Sequence, residues 1–239
     1  MANPIISRAE LAISSTPMTI QGVVRKTAFL LALTTLSGIG FFGYCLLSGV
    51  TFGFINIAAL SSIVIGFVLS LVIISKPHLA KSLAVPYAIL EGVAIGGISL
   101  FAATKFPTVA PTALVATFVT AAVMLGLYRS GVIKVTEKFR SVMISAVIAI
   151  MLIYVVQIGF SLFSSSLPYL FDGGVVGIGF SLLVVVIASL SLLLDFDNVE
   201  RAYAAGVDER YEWVLSVGIL ATLVWMYIEF VRLLRSLQN

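Results

Sequence analysis

Seven apolar runs dominate the chain, at residues 27–47, 52–74, 83–103, 109–128, 142–163, 174–194 and 213–231. Each is close to the ~20 residues that carry an α-helix across the hydrocarbon core of a bilayer. The runs are continuously apolar rather than alternating. That excludes a transmembrane β-barrel and requires helices, whose backbone hydrogen bonds are satisfied internally. Composition agrees, since 60% of the 239 residues are hydrophobic and only 10% are charged. The sequence predicts an all-α polytopic membrane protein whose seven transmembrane helices form a single domain over 27–235, preceded by a cytoplasmic N-terminal segment over 1–26. That leading segment is polar and mixed, without the short apolar core of a removable signal, so the first span is expected to serve for insertion.

The distribution of Lys and Arg sets the expected orientation. Arg8, Arg25 and Lys26 precede the first span, Lys76 and Lys81 follow the second, Arg129, Lys134, Lys138 and Arg140 follow the fourth, and Arg201 and Arg210 follow the sixth. These alternate connections share one side of the membrane and hold eleven of the fourteen basic residues. Lys105, Arg232 and Arg235 fall on the other side. By the positive-inside rule the N-terminus is cytoplasmic and the C-terminus is outside. The net charge of +3 then reflects basic loops facing anionic lipid, so the lipid bilayer is the expected partner and nucleic acid is not.

Glycines run through the spans as well as the turns. Gly92 and Gly96 form a GxxxG pair in span three, and Gly173 and Gly177 repeat the spacing at the start of span six. Small residues let helix backbones approach closely in lipid, and packing is the plainer reading of both pairs.

Carboxylates inside apolar helices need a reason, because each costs a few kcal/mol to insert. Glu91 stands mid-way along span three, Glu229 inside the last span, and Asp195 and Asp197 close the run of span six. Glu229 has a simple structural explanation in Arg232, three residues on and thus on the same helix face. Asp195 and Asp197 have one in the start of a solvated loop. Glu91, far from either end of its span, is either hydrogen-bonded helix glue or an ion ligand.

Enzyme classes are disfavoured by the same inventory. His78, the sole histidine, lies in a connection, so a zinc-peptidase HExxH site is impossible and a serine–histidine pair improbable. No lysine follows Lys138, which removes a retinal Schiff base from the last helix, and no nucleotide fingerprint occurs. The single cysteine, Cys45, leaves no disulfide framework or thiolate cluster. No resident cofactor is expected.

Several stretches carry a family likeness. Span three reads Pro86-Tyr87-Ala88-Ile89-Leu90-Glu91-Gly92-Val93-Ala94-Ile95-Gly96, and span four contains Ala116-Thr117-Phe118-Val119-Thr120-Ala121 before Tyr128-Arg129-Ser130-Gly131. Span six ends in Leu194-Asp195-Phe196-Asp197-Asn198-Val199-Glu200, and the last span holds Tyr227-Ile228-Glu229-Phe230. From Met18 onward the chain resembles the Bax inhibitor family (transmembrane Bax inhibitor motif proteins), and within it a bacterial branch. The resemblance implies a seven-helix fold with the last helix central, and a pH-sensitive calcium leak in a bacterial inner membrane. It maps the family's paired carboxylates onto Asp195 and Glu229, as pH-sensing, metal-binding groups on the ion pathway, with Glu91 and Asp197 as further candidates. Glu stands at 229 where Asp is usual. The family's latching arginine has no clear counterpart, and Lys76 is the candidate latch cation.

The paired positions impose a geometric condition. Were the sixth helix to stop at Leu194, Asp195 and Glu229 would approach opposite membrane faces. The helix must continue past Asp195 towards Gly206, and no proline or glycine intervenes up to Ala205. Even so, the rise of ~1.5 Å per residue leaves about 14 Å between the two heights for tilt to absorb.

The leading expectation is a passive calcium pathway in which proton and calcium compete for shared carboxylate oxygens. A second reading is a non-conducting regulatory protein that binds other membrane proteins, such as a protease or a cell-death regulator, through 129–140 or 200–212. A third is a proton-coupled transporter of a small solute.

Overall fold

The computed structural model describes residues 16–162 and 174–238. Among them, seven helices are long and apolar enough to cross a membrane. They are α1 (Ile20–Ser48), α2 (Phe52–Ser75), α3 (Ala80–Ala103), α4 (Val109–Arg129), α5 (Glu137–Leu162), α6 (Val175–Ala204) and α7 (Tyr211–Gln238). Their number and order are those expected from the apolar runs. The expectations for residues 1–15 with Arg8, for the connection 164–173, and for Gly173 of the second glycine pair lie outside the described residues.

The helix ends differ from the hydropathy boundaries, and each difference has a local cause. Helix α1 begins at Ile20 rather than 27, because the Thr19 hydroxyl caps it, accepting the Gly22 N–H at 2.9 Å. The polar first turns of α1 had masked this start. Helix α6 runs past Leu194 to Ala204, and Gly206 (φ +65°) then takes the left-handed turn that breaks it. The continuation required of the sixth helix is therefore present. Helix α7 extends beyond both ends of its apolar run, so Arg232 and Arg235 are helical residues. By helical rise, Asp195 stands about 14 Å before the end of α6, and Glu229 about 27 Å beyond the start of α7.

The chain divides into two compact units, Met1–Phe101 with Asp195–Val224, and Ala102–Leu194 with Trp225–Asn239. In the first, α1 and α3 meet through the Gly92/Gly96 pair. A Cβ on Gly92 would stand 2.4 Å from the Thr34 carbonyl oxygen, and one on Gly96 would stand 2.6 Å from that of Gly38. The close approach lets Thr34 Oγ1 donate to the Ala88 carbonyl at 3.0 Å and Ser37 Oγ to that of Ile89 at 2.9 Å. This GxxxG is a packing motif, as its spacing suggested. Cys45 is buried against Ile55 and Leu100 at one end of this unit.

The last helix is the most enclosed of the seven. Of its apolar stretch 67% is buried, against 11–50% for the others. It touches α1 in the first unit, where Ser216 Oγ donates to the Val23 carbonyl at 3.1 Å. In the second unit it touches α6, where Ser189 Oγ donates to Met226 Sδ at 3.5 Å. The outer helices expose long apolar side chains such as Leu36, Ile57, Val115 and Leu152, the surface a lipid environment would cover.

Candidate functional site

Among the described residues of the second unit, Glu229 is the deepest acid, 2% exposed. The Tyr154 hydroxyl of α5 donates to its Oε1. Arg232, one turn on, donates from Nη1 to the Tyr154 oxygen at 2.9 Å and stands 3.5 Å from Glu229 Oε2. The guanidinium lies over the ring of Tyr154 at 5.6 Å and over that of Phe180 at 5.2 Å, a cation–π arrangement on two aromatic faces. The i,i+3 pairing of Glu229 with Arg232 is thus present, enlarged by an aromatic enclosure. Glu229 Oε2 nevertheless has no hydrogen-bond partner.

Asp195 belongs to the first unit, on the stretch of α6 beyond the hydropathy boundary. Its carboxyl lies near the Thr222 hydroxyl of α7, which itself donates back to the Gly218 carbonyl at 3.2 Å. Its Oδ2 is buried without a hydrogen-bond partner. Asp197 pairs instead along its own helix, with Arg201 Nε 2.6 Å from Oδ2. Lys76 follows α2 as its C-cap residue, is exposed, and forms no ion pair with a described residue. Asp195 and Glu229 fall in different units.

Glu91 is half-buried on α3, hydrogen-bonded to Tyr87 one turn before it. A Cβ on Gly66 of α2 would stand 3.3 Å from Glu91 Oε1, so the small residue lets the acid lie against the facing helix. Tyr87 is 2% exposed, and the pair is anchored within the unit rather than turned to lipid.

A fifth acid carries no signal in the sequence. Glu212, at the end of the stretch 200–212 that the second reading offers to a partner, is 6% exposed in the first turn of α7. Its Oε1 accepts the Thr19 N–H at 2.7 Å and the Thr19 hydroxyl at 3.1 Å, and its Oε2 accepts Lys26 Nζ at 2.6 Å. Tyr154, Phe180 and Thr222 were missed too. For Tyr154 a signal existed, a phenol in mid-span where a polar group wants a partner. For Thr222 and Glu212 the partners are distant in sequence, and no local pattern announces them.

Among the described residues no three His, Cys, Asp or Glu side chains converge. Calcium takes six to eight oxygen ligands, so a carboxylate in either unit would supply only part of a shell.

The family model described as Bax inhibitor 1 like matches residues 3–239. No curated protein matches the chain. Seven candidate spans in order, an enclosed last helix and a match over nearly the whole length agree: the chain belongs to the Bax inhibitor 1-like family of multi-span membrane proteins.

Proposed function

We propose that the protein is a passive, pH-sensitive cation leak, with calcium as the transported ion and Asp195 and Glu229 as its proton- and cation-binding carboxylates. One observation carries this reading: Asp195 keeps a buried oxygen, Oδ2, without a hydrogen-bond partner, while Glu229 Oε2, also without a hydrogen bond, faces only the Arg232 guanidinium at 3.5 Å. A buried carboxylate oxygen left unsatisfied is costly, and a proton or a cation relieves the cost. Hard divalent cations prefer such oxygens. The likeness that maps the family's paired carboxylates onto these two positions supports their acting as one titrating unit. Family membership supports calcium as the ion. The lysine and arginine bias supports a cytoplasmic N-terminus, and the resemblance to a bacterial branch of the family supports a bacterial inner membrane.

Calcium flux in liposomes containing only the purified protein tests the proposal. Asp195→Asn and Glu229→Gln should each shift the pH midpoint of flux, and the double variant should shift it by much less than their sum. Additive shifts from well-folded variants would remove the shared titration. An unchanged midpoint in Glu229→Gln would confine Glu229 to its pairing with Arg232. No flux from the wild-type protein in sealed vesicles would leave a non-conducting regulatory membrane protein.

A further inference from the structure

The N-terminal end of the first unit carries more polar machinery than holding two helices together demands. Residues 16–18 lie antiparallel to the turn between α6 and α7. Met18 N–H donates to the Val207 carbonyl at 2.7 Å and Glu209 N–H to that of Thr16 at 3.1 Å, flanking the bridge between Pro17 and Asp208. Met18 is 1% exposed beneath this strap. Immediately after it, Glu212 takes both donors of Thr19 and the ammonium of Lys26, which lies 5.1 Å from the centre of the Trp213 ring. Helix α1 is shaped around the acid, since a Cβ on Gly22 would stand 2.1–2.2 Å from the Glu212 carboxyl atoms. One turn further, Ser216 ties α7 to the Val23 carbonyl.

A buried ion pair adds little net stability, because desolvation offsets its attraction; its best-attested use is to select a register. Selection is needed here. Apolar helix surfaces discriminate poorly between registers one turn apart. A slip of ~5.4 Å would part Glu212 from Thr19 and Lys26 and carry Thr222, ten residues further along α7, away from Asp195. We propose that the Glu212–Lys26–Thr19 clamp and the strap over 16–18 are a positioning device that holds the last helix in the register where Thr222 meets Asp195. Acting through Thr222, the clamp tunes the carboxylate that the leak reading uses, and to that extent the inference rests on that reading.

The strap supplies its own test. Hydrogen bonds flank Pro17 and Asp208 rather than join them, the non-hydrogen-bonded arrangement with Cα atoms about 4.5 Å apart, within the ~4.4–6.8 Å a disulfide spans. In a Cys45→Ala background, Pro17→Cys with Asp208→Cys should lock the strap when oxidised and release it with dithiothreitol. Into this background Glu212→Gln and Lys26→Met are introduced together. Two quantities are read in liposomes: calcium flux, and the rate at which a membrane-permeant carbodiimide modifies Asp195, followed by mass spectrometry.

With the disulfide reduced, the clamp-less protein should differ from its parent about threefold or more in both quantities, as expected of a coupled position. Oxidation should return both towards parental values, and Lys26→Arg should keep them. Glu212→Gln alone, which retains an oxygen for Thr19, serves the same comparison should the double variant not assemble. Parental values without the clamp, or a change that a fully formed disulfide does not reverse, would overturn the proposal. If no protein conducts but Asp195 modification responds and is restored, the leak reading falls and the positioning role stands.

Discussion

Replacing Gly92 with alanine tests the contact that joins α1 to α3. The added Cβ would stand 2.4 Å from the Thr34 carbonyl oxygen, 2.7 Å from Ser37 Cβ and 2.9 Å from the Gly38 nitrogen. Two of these neighbours are backbone atoms, so no rotamer change relieves the overlap and the helices must part by about 1 Å to restore ordinary contact. Parting stretches the Thr34–Ala88 and Ser37–Ile89 hydrogen bonds, now 3.0 and 2.9 Å. Interhelical hydrogen bonds in membranes contribute ~0.6 kcal/mol each, and overpacking costs ~1–3 kcal/mol. Gly92→Ala should therefore destabilise the fold by about 2–4 kcal/mol. Gly43→Ala is the control, because a Cβ there meets nothing within 4 Å. It should be stabilising by ~0.5–1 kcal/mol through backbone entropy alone. Unfolding by sodium dodecyl sulfate in mixed micelles, followed by circular dichroism, measures both. If the two variants agree within ~0.5 kcal/mol, a common error for independent sites, the close approach of α1 and α3 is refuted.

Tyr154→Phe removes the hydroxyl donor to Glu229 and should cost ~1–3 kcal/mol in the same assay, whereas Tyr44→Phe on an exposed face should cost nothing measurable. Glu91→Leu should lower folded yield, read by size-exclusion chromatography in detergent, because it breaks the Tyr87 pairing beside Gly66. Glu137→Leu in the first turn of α5 should leave yield near wild type, and equal yields would make Glu91 a passenger. Reporter fusions within 129–140 and after Asn239 should report opposite sides of the membrane, and agreement between them would overturn the count of seven spans.

What could be read from the chain follows from where its information lies. Hydrophobic length is a local property, so the spans and their order were legible, and so was the role of Gly92 and Gly96, since GxxxG spacing places both on one helix face. The pairing of Glu229 with Arg232 was legible for the same reason, at one turn's separation. Helix ends were harder. Lys26 and Arg25 depress hydropathy around the start of α1, yet Lys26 is neutralised by an acid 186 residues away, a compensation no window detects. Glu212 falls outside every apolar run, and its donors come from the other end of the chain.

The sequence by itself determined the solvent, the helical class and the number of crossings, because a bilayer admits so few backbone solutions that apolar length alone selects among them. Tertiary structure decided which polar groups are partnered. It gave Glu229 a phenol and a guanidinium between two aromatic rings, Glu91 a tyrosine beside a glycine, and Glu212 a clamp built from the opposite terminus. It also left Asp195 with one buried oxygen unanswered. Hydrogen bonds act over about 3 Å between residues that only the packing of helices brings together, and that distance is written nowhere along the chain.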